Sequence, residues 1–374
     1  MNLKFNFKRA LSIAKKEQFH IMRDPFTLTM ATILPVLLVL IFGLAIEFNV
    51  KDIGLTVHDS DRTFSSRKLV EVFSSSQYFN INPSRGSIID AISDLDSERS
   101  KASLIIEPEF EHNLLASGNT KAQFLLDGAD NSTAGVILGY LGGIQKAANF
   151  KLTGTLVKEP IELKTRYLFN PELSSPWFIV PGLAVVVIAI LSILLTALTV
   201  AREWENGSME LLLSTPVQPL EIIIGKLIPY TVIGLAAVLL VVLVAILGFG
   251  IPFAGNIILF GVGSLIFLIA CLAQGMLISV LIRTQQLSMQ IAMVTGLLPS
   301  LLLSGFIFPL ESMPKFFQNF TSILPSKWFM IISRGIFLKG ADLSDLKLPF
   351  IGLFILSSIL IITATKKFKK DLEP

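Results

Sequence analysis

Six runs of about twenty residues contain no Asp, Glu, Lys or Arg, and between the first two the chain changes to short apolar runs interleaved with charge. The uncharged runs are approximately Phe26–Ile46, Trp177–Ala201, Leu227–Gly250, Asn256–Ile282, Leu287–Phe308 and Leu348–Thr365. About 20 apolar residues in a helix cross roughly 30 Å of hydrocarbon. The pattern predicts an α-helical integral membrane protein with six transmembrane helices. Basic residues precede the first run as they do in a secretory signal. That run is too long for one and no small-residue cleavage site follows it, so it reads as a retained span.

Residues 47–176 predict an inserted extracytoplasmic α/β domain between the first and second spans. Strands are expected at Ile53–His58, Tyr78–Asn82, Ala102–Ile106 and Ala122–Leu126, and helices at Ser65–Ser74, Ser87–Asp96, Glu109–Ala116 and Thr133–Leu152. The segment holds 17 acidic and 13 basic residues, a net of −4, and about 130 residues are enough for an independent core. Asp59 with Asp61, or Asp94 with Asp96 and Glu98, could be grouped as acidic metal ligands, but solvated turns explain them more simply. Neither a glycine-rich phosphate loop nor a catalytic triad spacing occurs in it.

Composition agrees with the pattern. Hydrophobic residues make up 52% of the 374 and charged residues 16%, against about 25% charged in a soluble domain. The lone Cys271 excludes a disulfide framework, and His20, His58 and His112 lie too far apart for a ligand pair. Lysine and arginine near the spans set orientation. Lys4, Lys8, Arg9, Lys15, Lys16 and Arg23 precede the first span, and Lys366, Lys367, Lys369 and Lys370 follow the last. Six spans put both ends on one side, read as cytoplasmic, together with the loops of Arg202, Lys226 and Arg283. Residues 309–347 should then lie outside, although they carry five basic and three acidic residues. Their apolar stretches, Phe316–Leu324 and Trp328–Leu338, are too short to cross. With Pro309, Pro314 and Pro325 they predict re-entrant or interfacial helices.

Two polar segments carry candidate function. In residues 1–25, Phe7, Ala10, Leu11, Ala14 and Ile21 recur at helical spacing among Lys8, Arg9, Lys15 and Lys16. That predicts an amphipathic helix lying in the cytoplasmic interface. The loop 202–226 begins Arg202-Glu203-Trp204-Glu205-Asn206-Gly207-Ser208-Met209-Glu210-Leu211 and reaches Thr215-Pro216. On one continuous helix Glu203, Gly207 and Glu210 share a stripe, with the aromatic Trp204 on another and Pro216 and Pro219 ending it. Such a helix suits a cytosolic partner that delivers force.

This loop resembles the signature of ABC-2 type transporter permeases, an acidic pair, a glycine, a hydroxyl residue, a glutamate and Thr-Pro, here Glu203, Glu205, Gly207, Ser208, Glu210, Thr215 and Pro216. The family commonly has threonine where Ser208 stands. The segment Lys16-Glu17, Arg23-Asp24-Pro25, Pro35 and Phe42-Gly43 is similar to the family's opening segment. So is the outer stretch Ser304-Gly305-Phe306-Ile307-Phe308-Pro309 with Met313-Pro314 and Leu324-Pro325. The resemblance implies the transmembrane subunit of an ABC exporter of the multidrug-efflux-like branch, in a bacterial inner membrane. It pairs with a second copy or a paralogue and with cytosolic ATPase subunits, and ATP and Mg are expected on that ATPase. In keeping with this, the chain contains no G-x-x-x-x-G-K-[ST] phosphate loop, and neither an enzymatic activity nor a nucleic-acid partner is expected. On this reading Arg202, Glu203, Trp204, Glu205, Gly207, Ser208, Glu210, Leu211, Thr215 and Pro216 couple to the ATPase. Lys16, Glu17, Arg23, Asp24 and Pro25 belong to the interfacial helix, and Gly305, Phe306, Pro309, Pro314 and Pro325 to an outer gate. A pathway without charge in its spans suits lipophilic or amphipathic cargo, drugs or lipids. Two alternatives remain: a non-transporting subunit that relays ATP-driven motion to an extracytoplasmic partner, and an ion-coupled transporter, which usually needs an ionisable residue inside a span.

Overall fold

A computed structural model of the chain describes residues 5–45, 52–84, 87–97, 99–127, 131–153 and 174–368. Lys4, Lys369, Lys370, Glu98 and the side chain of Asp96, all named above, lie outside the described residues. The chain divides into two compact units, Met1–Ile46 with Tyr167–Pro374, and Glu47–Arg166.

The smaller unit is built on a four-stranded sheet. Its strands are β1 (Ile53–Asp59), β2 (Phe79–Pro83), β3 (Ala102–Ile106) and β4 (Ala122–Leu126), in the order β2-β1-β3-β4. β1 runs parallel to β2 and β3, and β4 antiparallel to β3. Every residue of β3 is buried, as expected of a central strand whose sequence, Ala-Ser-Leu-Ile-Ile, is almost wholly apolar. Helix α3 (Phe64–Ser75) supplies Leu69, Val72 and Phe73 to the core, and α6 (Asn131–Thr153) supplies Ile137, Ile144 and Ala148 at helical spacing. Phe73 stacks on Phe124 at 5.8 Å and meets the edge of Phe79 at 5.5 Å. Asp59 and Asp61 serve the turn into α3. Asp59 accepts from the backbone of Asp61 and Arg62 and from Ser66 Oγ, and Asp61 accepts from Thr63 Oγ1 and the Glu111 amide. The Thr63 hydroxyl accordingly holds the Asp61 carboxyl below the ordinary aspartate range. Helices α4 (Ile88–Asp96) and α5 (Phe110–Ser117) complete this unit.

Among the described residues the larger unit is helical, without strands. It contains α1 (Phe7–Met22), α2 (Pro25–Ala45), α7 (Ser175–Glu205), α8 (Ser208–Leu213), α9 (Pro219–Phe249), α10 (Ile257–Leu281), α11 (Gln285–Leu302), α12 (Lys315–Phe320), α13 (Pro325–Lys339) and α14 (Leu343–Lys367). Among the described residues, five helices are long and apolar enough to cross a membrane: α2, α7, α9, α10 and α14. The sixth expected run, Leu287–Phe308, is not a single span of that kind. Its helix α11 begins at Gln285 and ends at Leu302, and its polar residues Gln285, Gln286, Gln290, Thr295 and Ser300 dilute the apolar character. Residues 303–308 leave the helix, with Gly305 at φ +87°.

Helix α7 forms the centre. It is 72% buried along its most apolar stretch, against 22% for α2 and 28% for α9, so its apolar surface faces protein rather than lipid. Gly275 of α10 sits on the α7 backbone, where a Cβ would collide with the Ile193 carbonyl and Thr196 Oγ1. Thr196 Oγ1 in turn donates to the Leu272 carbonyl at 2.9 Å, and Ser279 Oγ accepts from the amides of Val200 and Ala201. Small and hydroxylated residues thus let the two helices close on each other. Gln274 of α10 donates to the Thr295 carbonyl of α11, whereas Gln290 faces outward.

The segment 309–347, expected as re-entrant or interfacial helices, holds α12 and α13 in different settings. Only α12 is surface-lying, with Phe316 72% exposed. α13 packs into the bundle against α7, α10 and α14, stacking Phe329 on Phe267 at 4.3 Å. Its apolar residues recur around more than half of the helix, which burial requires and an interfacial position does not. Pro314 and Pro325 stand at the starts of α12 and α13, and Pro309 precedes a 3-10 turn at Leu310–Ser312, where a missing N–H costs nothing.

Candidate functional site

The charged flanks of α1, α7 and α9 meet at one end of the bundle. Lys226 of α9, whose residue is 1% exposed, donates to Glu17 Oε2 at 3.1 Å and lies 3.3 Å from Glu203 Oε2. The second contact is off the hydrogen-bonding direction, so that oxygen carries charge contact without a hydrogen bond. Tyr230 Oη donates to the other oxygen of Glu17 at 3.2 Å, and Lys16 Nζ donates to Glu203 Oε1 at 3.0 Å. Beside this core, the fully buried Glu221 accepts from Arg9 Nη2 and from the Asn6 amide, both at 2.7 Å. Arg202 lies 3.7 Å from Asp24, which also caps α2 through the Thr27 amide and hydroxyl. Four carboxylates (Glu17, Asp24, Glu203, Glu221) therefore face four cations (Arg9, Lys16, Arg202, Lys226). A cavity of about 200 Å³ opens beside them, lined also by His20 and Asn206.

Three of these pairs join α1 to α7 or α9, Lys226–Glu203 joins α9 to α7, and Arg202–Asp24 ties α7 to the α1–α2 joint. Two of the three members of the inner triad, Glu203 and Lys226, lie at the ends of α7 and α9, which run past the uncharged sequence runs and carry their charges with them. Steric fit adds to charge: a Cβ on Gly225 would stand 2.7 Å from the Ala10 carbonyl and from Ile13 Cβ. The apolar stripe expected to lie in the acyl boundary is accordingly divided. Ala10, Ala14 and Ile21 are buried by protein, while Phe7 (60% exposed) and Leu11 (51%) face outward.

The loop after α7 also departs from the expected single helix. α7 stops at Glu205, Gly207 takes the left-handed φ +68°, and the short α8 starts at Ser208. The space around Gly207 is open, so the backbone angle and not crowding selects glycine. The turn separates the two glutamates that a continuous helix aligns: Glu203 faces the bundle interior and Glu210 faces solvent. Trp204 is half-buried, with the Arg283 guanidinium 4.4 Å above its ring, rather than an exposed aromatic. Glu205 accepts from the backbone and side chain of Gln285, latching the loop to the start of α11. Ser208 Oγ donates to the Glu203 carbonyl and Thr215 Oγ1 to the Leu212 carbonyl. Met209 is buried on the inner side of α8, which leaves Glu210 and Leu211 (74% exposed) of α8, with Thr215 and Pro216 just after it, as an outward surface. Arg23 and Pro25 lie at the α1–α2 joint.

Of the residues expected at an outer gate, Gly305 and Phe306 stand at the other end of α7. The Gly305 and Phe306 carbonyls accept from Arg334 of α13, and the Phe306 ring packs on Gly182. Pro309, Pro314 and Pro325 punctuate the helices that follow and are not brought together with that contact.

Glu17 was legible only as part of the opening segment, and Arg9, Glu221, Lys226 and Tyr230 were not singled out as site residues. One signal was available: Glu17 interrupts the stripe Ala10, Ile13, Ala14, Ile21, where a carboxylate is tolerated only with a buried cation. Nothing in spacing alone says that the cation is Lys226, more than 200 positions away.

Comparison with known proteins bears on what this arrangement serves. Residues 25–366 match the family described as ABC-2 family transporter protein. The chain is 32% identical over 341 residues to Escherichia coli "Probable multidrug ABC transporter permease YbhS", covering 90% of each chain. It is 31% identical over 341 residues to "Probable multidrug ABC transporter permease YbhR", covering 90% of this chain and 92% of that one. It is also 29% identical over 332 residues to "Inner membrane transport permease YhhJ", covering 85% of each.

Proposed function

The chain belongs to the ABC-2 family of transporter proteins and is a multi-pass permease subunit of an ABC transporter; from that premise we propose that it exports lipophilic or amphipathic compounds, drugs or lipids, with energy from ATP hydrolysed on a separate cytosolic subunit. The end of the bundle holding the ion pairs faces the cytoplasm of a bacterial inner membrane, both termini included. α11 with residues 303–308 serves as the sixth membrane element. A second copy or a paralogous permease completes the pathway, and ATP and Mg bind the partner ATPase.

One observation carries the reading. α8 and the turn after it present an exposed surface, Glu210, Leu211, Thr215 and Pro216, away from the protein while the inner side is joined through Glu203, Lys226 and Glu17 to α7, α9 and α1. A push on α8 is thereby delivered to α7, α9 and α1 together, because the ion pairs make them one block. Glu203, assigned to docking from the sequence, belongs on this view to transmission, and Glu210 and Leu211 to docking.

The test uses the full chain with its ATPase in vesicles. Glu210→Ala with Leu211→Asp is expected to abolish stimulation of ATP hydrolysis and dye transport, while unfolding stability stays within about 0.5 kcal/mol, as for other surface changes. Full stimulation in that variant would remove α8 as the docking element.

A further inference from the structure

The end of α7 away from the ion pairs holds a cation that no carboxylate among the described residues answers. Arg334 sits on α13 among buried neighbours, Ser333 and Gly335 on either side in sequence. Its Nη1 donates to the Gly305 carbonyl at 2.9 Å and its Nη2 to the Phe306 carbonyl at 3.3 Å, and its guanidinium lies 4.1 Å above the ring of Phe178. Gly182, lacking a side chain, leaves room for it, since a Cβ there would stand 3.0 Å from Nη2. A guanidinium has five N–H donors, and here only two reach an acceptor, with Nε buried and unsatisfied. Among the described residues it forms no ion pair. Burial lowers its pKa to about 10, which leaves it charged at neutral pH. Carbonyl dipoles and a ring face orient such a charge but do not neutralise it.

The surroundings state what would. Phe178 is 41% exposed, and Ile307 (45%) and Phe308 (54%) follow directly on the carbonyls that Arg334 holds. A half-buried cation bordered by exposed aromatic and aliphatic side chains matches a molecule with an anionic head and an apolar tail. The planar fork further favours a head with two oxygens to offer, a phosphate or a carboxylate. We propose that Arg334, with Phe178, Ile307 and Phe308, forms a binding site for the anionic head of an amphipathic molecule at the end of the bundle opposite the ion-pair cluster. The site stands on its own geometry and does not depend on the export reading.

The probe is radiolabelled dodecyl phosphate, bound to the full chain reconstituted in phosphatidylcholine discs, with dodecanol and inorganic phosphate as competitors. The expected result is saturable binding that inorganic phosphate displaces only at high concentration and dodecanol at least tenfold less well than unlabelled dodecyl phosphate. Arg334→Lys keeps the charge and loses the fork, so it weakens binding a few-fold. Arg334→Met weakens it tenfold or more. Because Arg334→Met also frees two carbonyls, Phe178→Glu provides a variant that spares them: it sets a carboxylate beside the guanidinium, leaves thermal unfolding unchanged or raised, and competes the probe away. Repeating the titration in discs containing phosphatidylglycerol identifies the source. Competition assigns the site to a bilayer lipid, and its absence assigns it to a dissolved amphiphile; both keep the site. Unchanged affinity in folded Arg334→Met or Phe178→Glu chains, or no saturable binding to the unaltered chain, would overturn it.

Discussion

The two ends of α7 treat charge in opposite ways. About 37 Å of helix, 25 residues at 1.5 Å each, separates Phe178 from Glu203. At the Glu203 end four carboxylates meet four cations, and the innermost groups are nearly or fully buried. At the Phe178 end a single guanidinium rests on carbonyls and a ring. Burying a charge is strongly unfavourable unless a partner and hydrogen bonds offset it. The balanced cluster therefore behaves as a structural joint, while the unbalanced cation is tolerable only because it stays half-exposed to something that can answer it.

The largest effect should come from unbalancing the joint. Lys226→Met leaves Glu17 and Glu203 buried without their shared cation and is expected to cost about 3–5 kcal/mol, read as equilibrium unfolding in mild detergent. Adding Glu17→Gln should recover part of that loss, since one of the two stranded charges is removed. A smaller loss, about 1–3 kcal/mol, is expected for Arg334→Met, which strips donors from two carbonyls but leaves no stranded charge. If Arg334→Met cost more than Lys226→Met, the contrast between the two ends would be wrong. The smallest effect belongs to Lys16→Ala. Its side chain is 57% exposed, so the contact with Glu203 should be worth no more than about 1 kcal/mol and fade as salt is raised. A salt-insensitive loss there would mean that Lys16 is as buried in solution as Lys226.

The spans and the sheet were legible because both announce themselves locally. β3 and β4 fall on the residues that alternation and apolar runs assign, and α3, α4, α5 and α6 fall within two residues of expectation. What escaped is long-range. Uncharged runs mark where a helix can sit in hydrocarbon but not where it stops, so α7 and α9 reach further and bring Glu203, Glu221 and Lys226 inside. The continuous loop helix failed at Gly207, where a left-handed residue redirects the chain, and periodicity carries no sign of that turn. α11 fell short because glutamines and Pro299 dilute a run that the absence of charge alone made look uniform. α13 was expected as a re-entrant or interfacial helix because it is too short to cross, and its apolar residues on several sides argue for the buried position it takes.

The closeness of α1 to α9 has a practical use. With Gly225 against the Ala10 carbonyl, and with Arg9 and Asn6 both bound to Glu221, the two helices share a backbone contact and a clasp at the same level. Sliding one past the other would break both at once. A fluorophore attached near Phe5 or Phe7, which are exposed, is therefore a reporter of α9: it should register that helix's movement without a label placed on α9 itself.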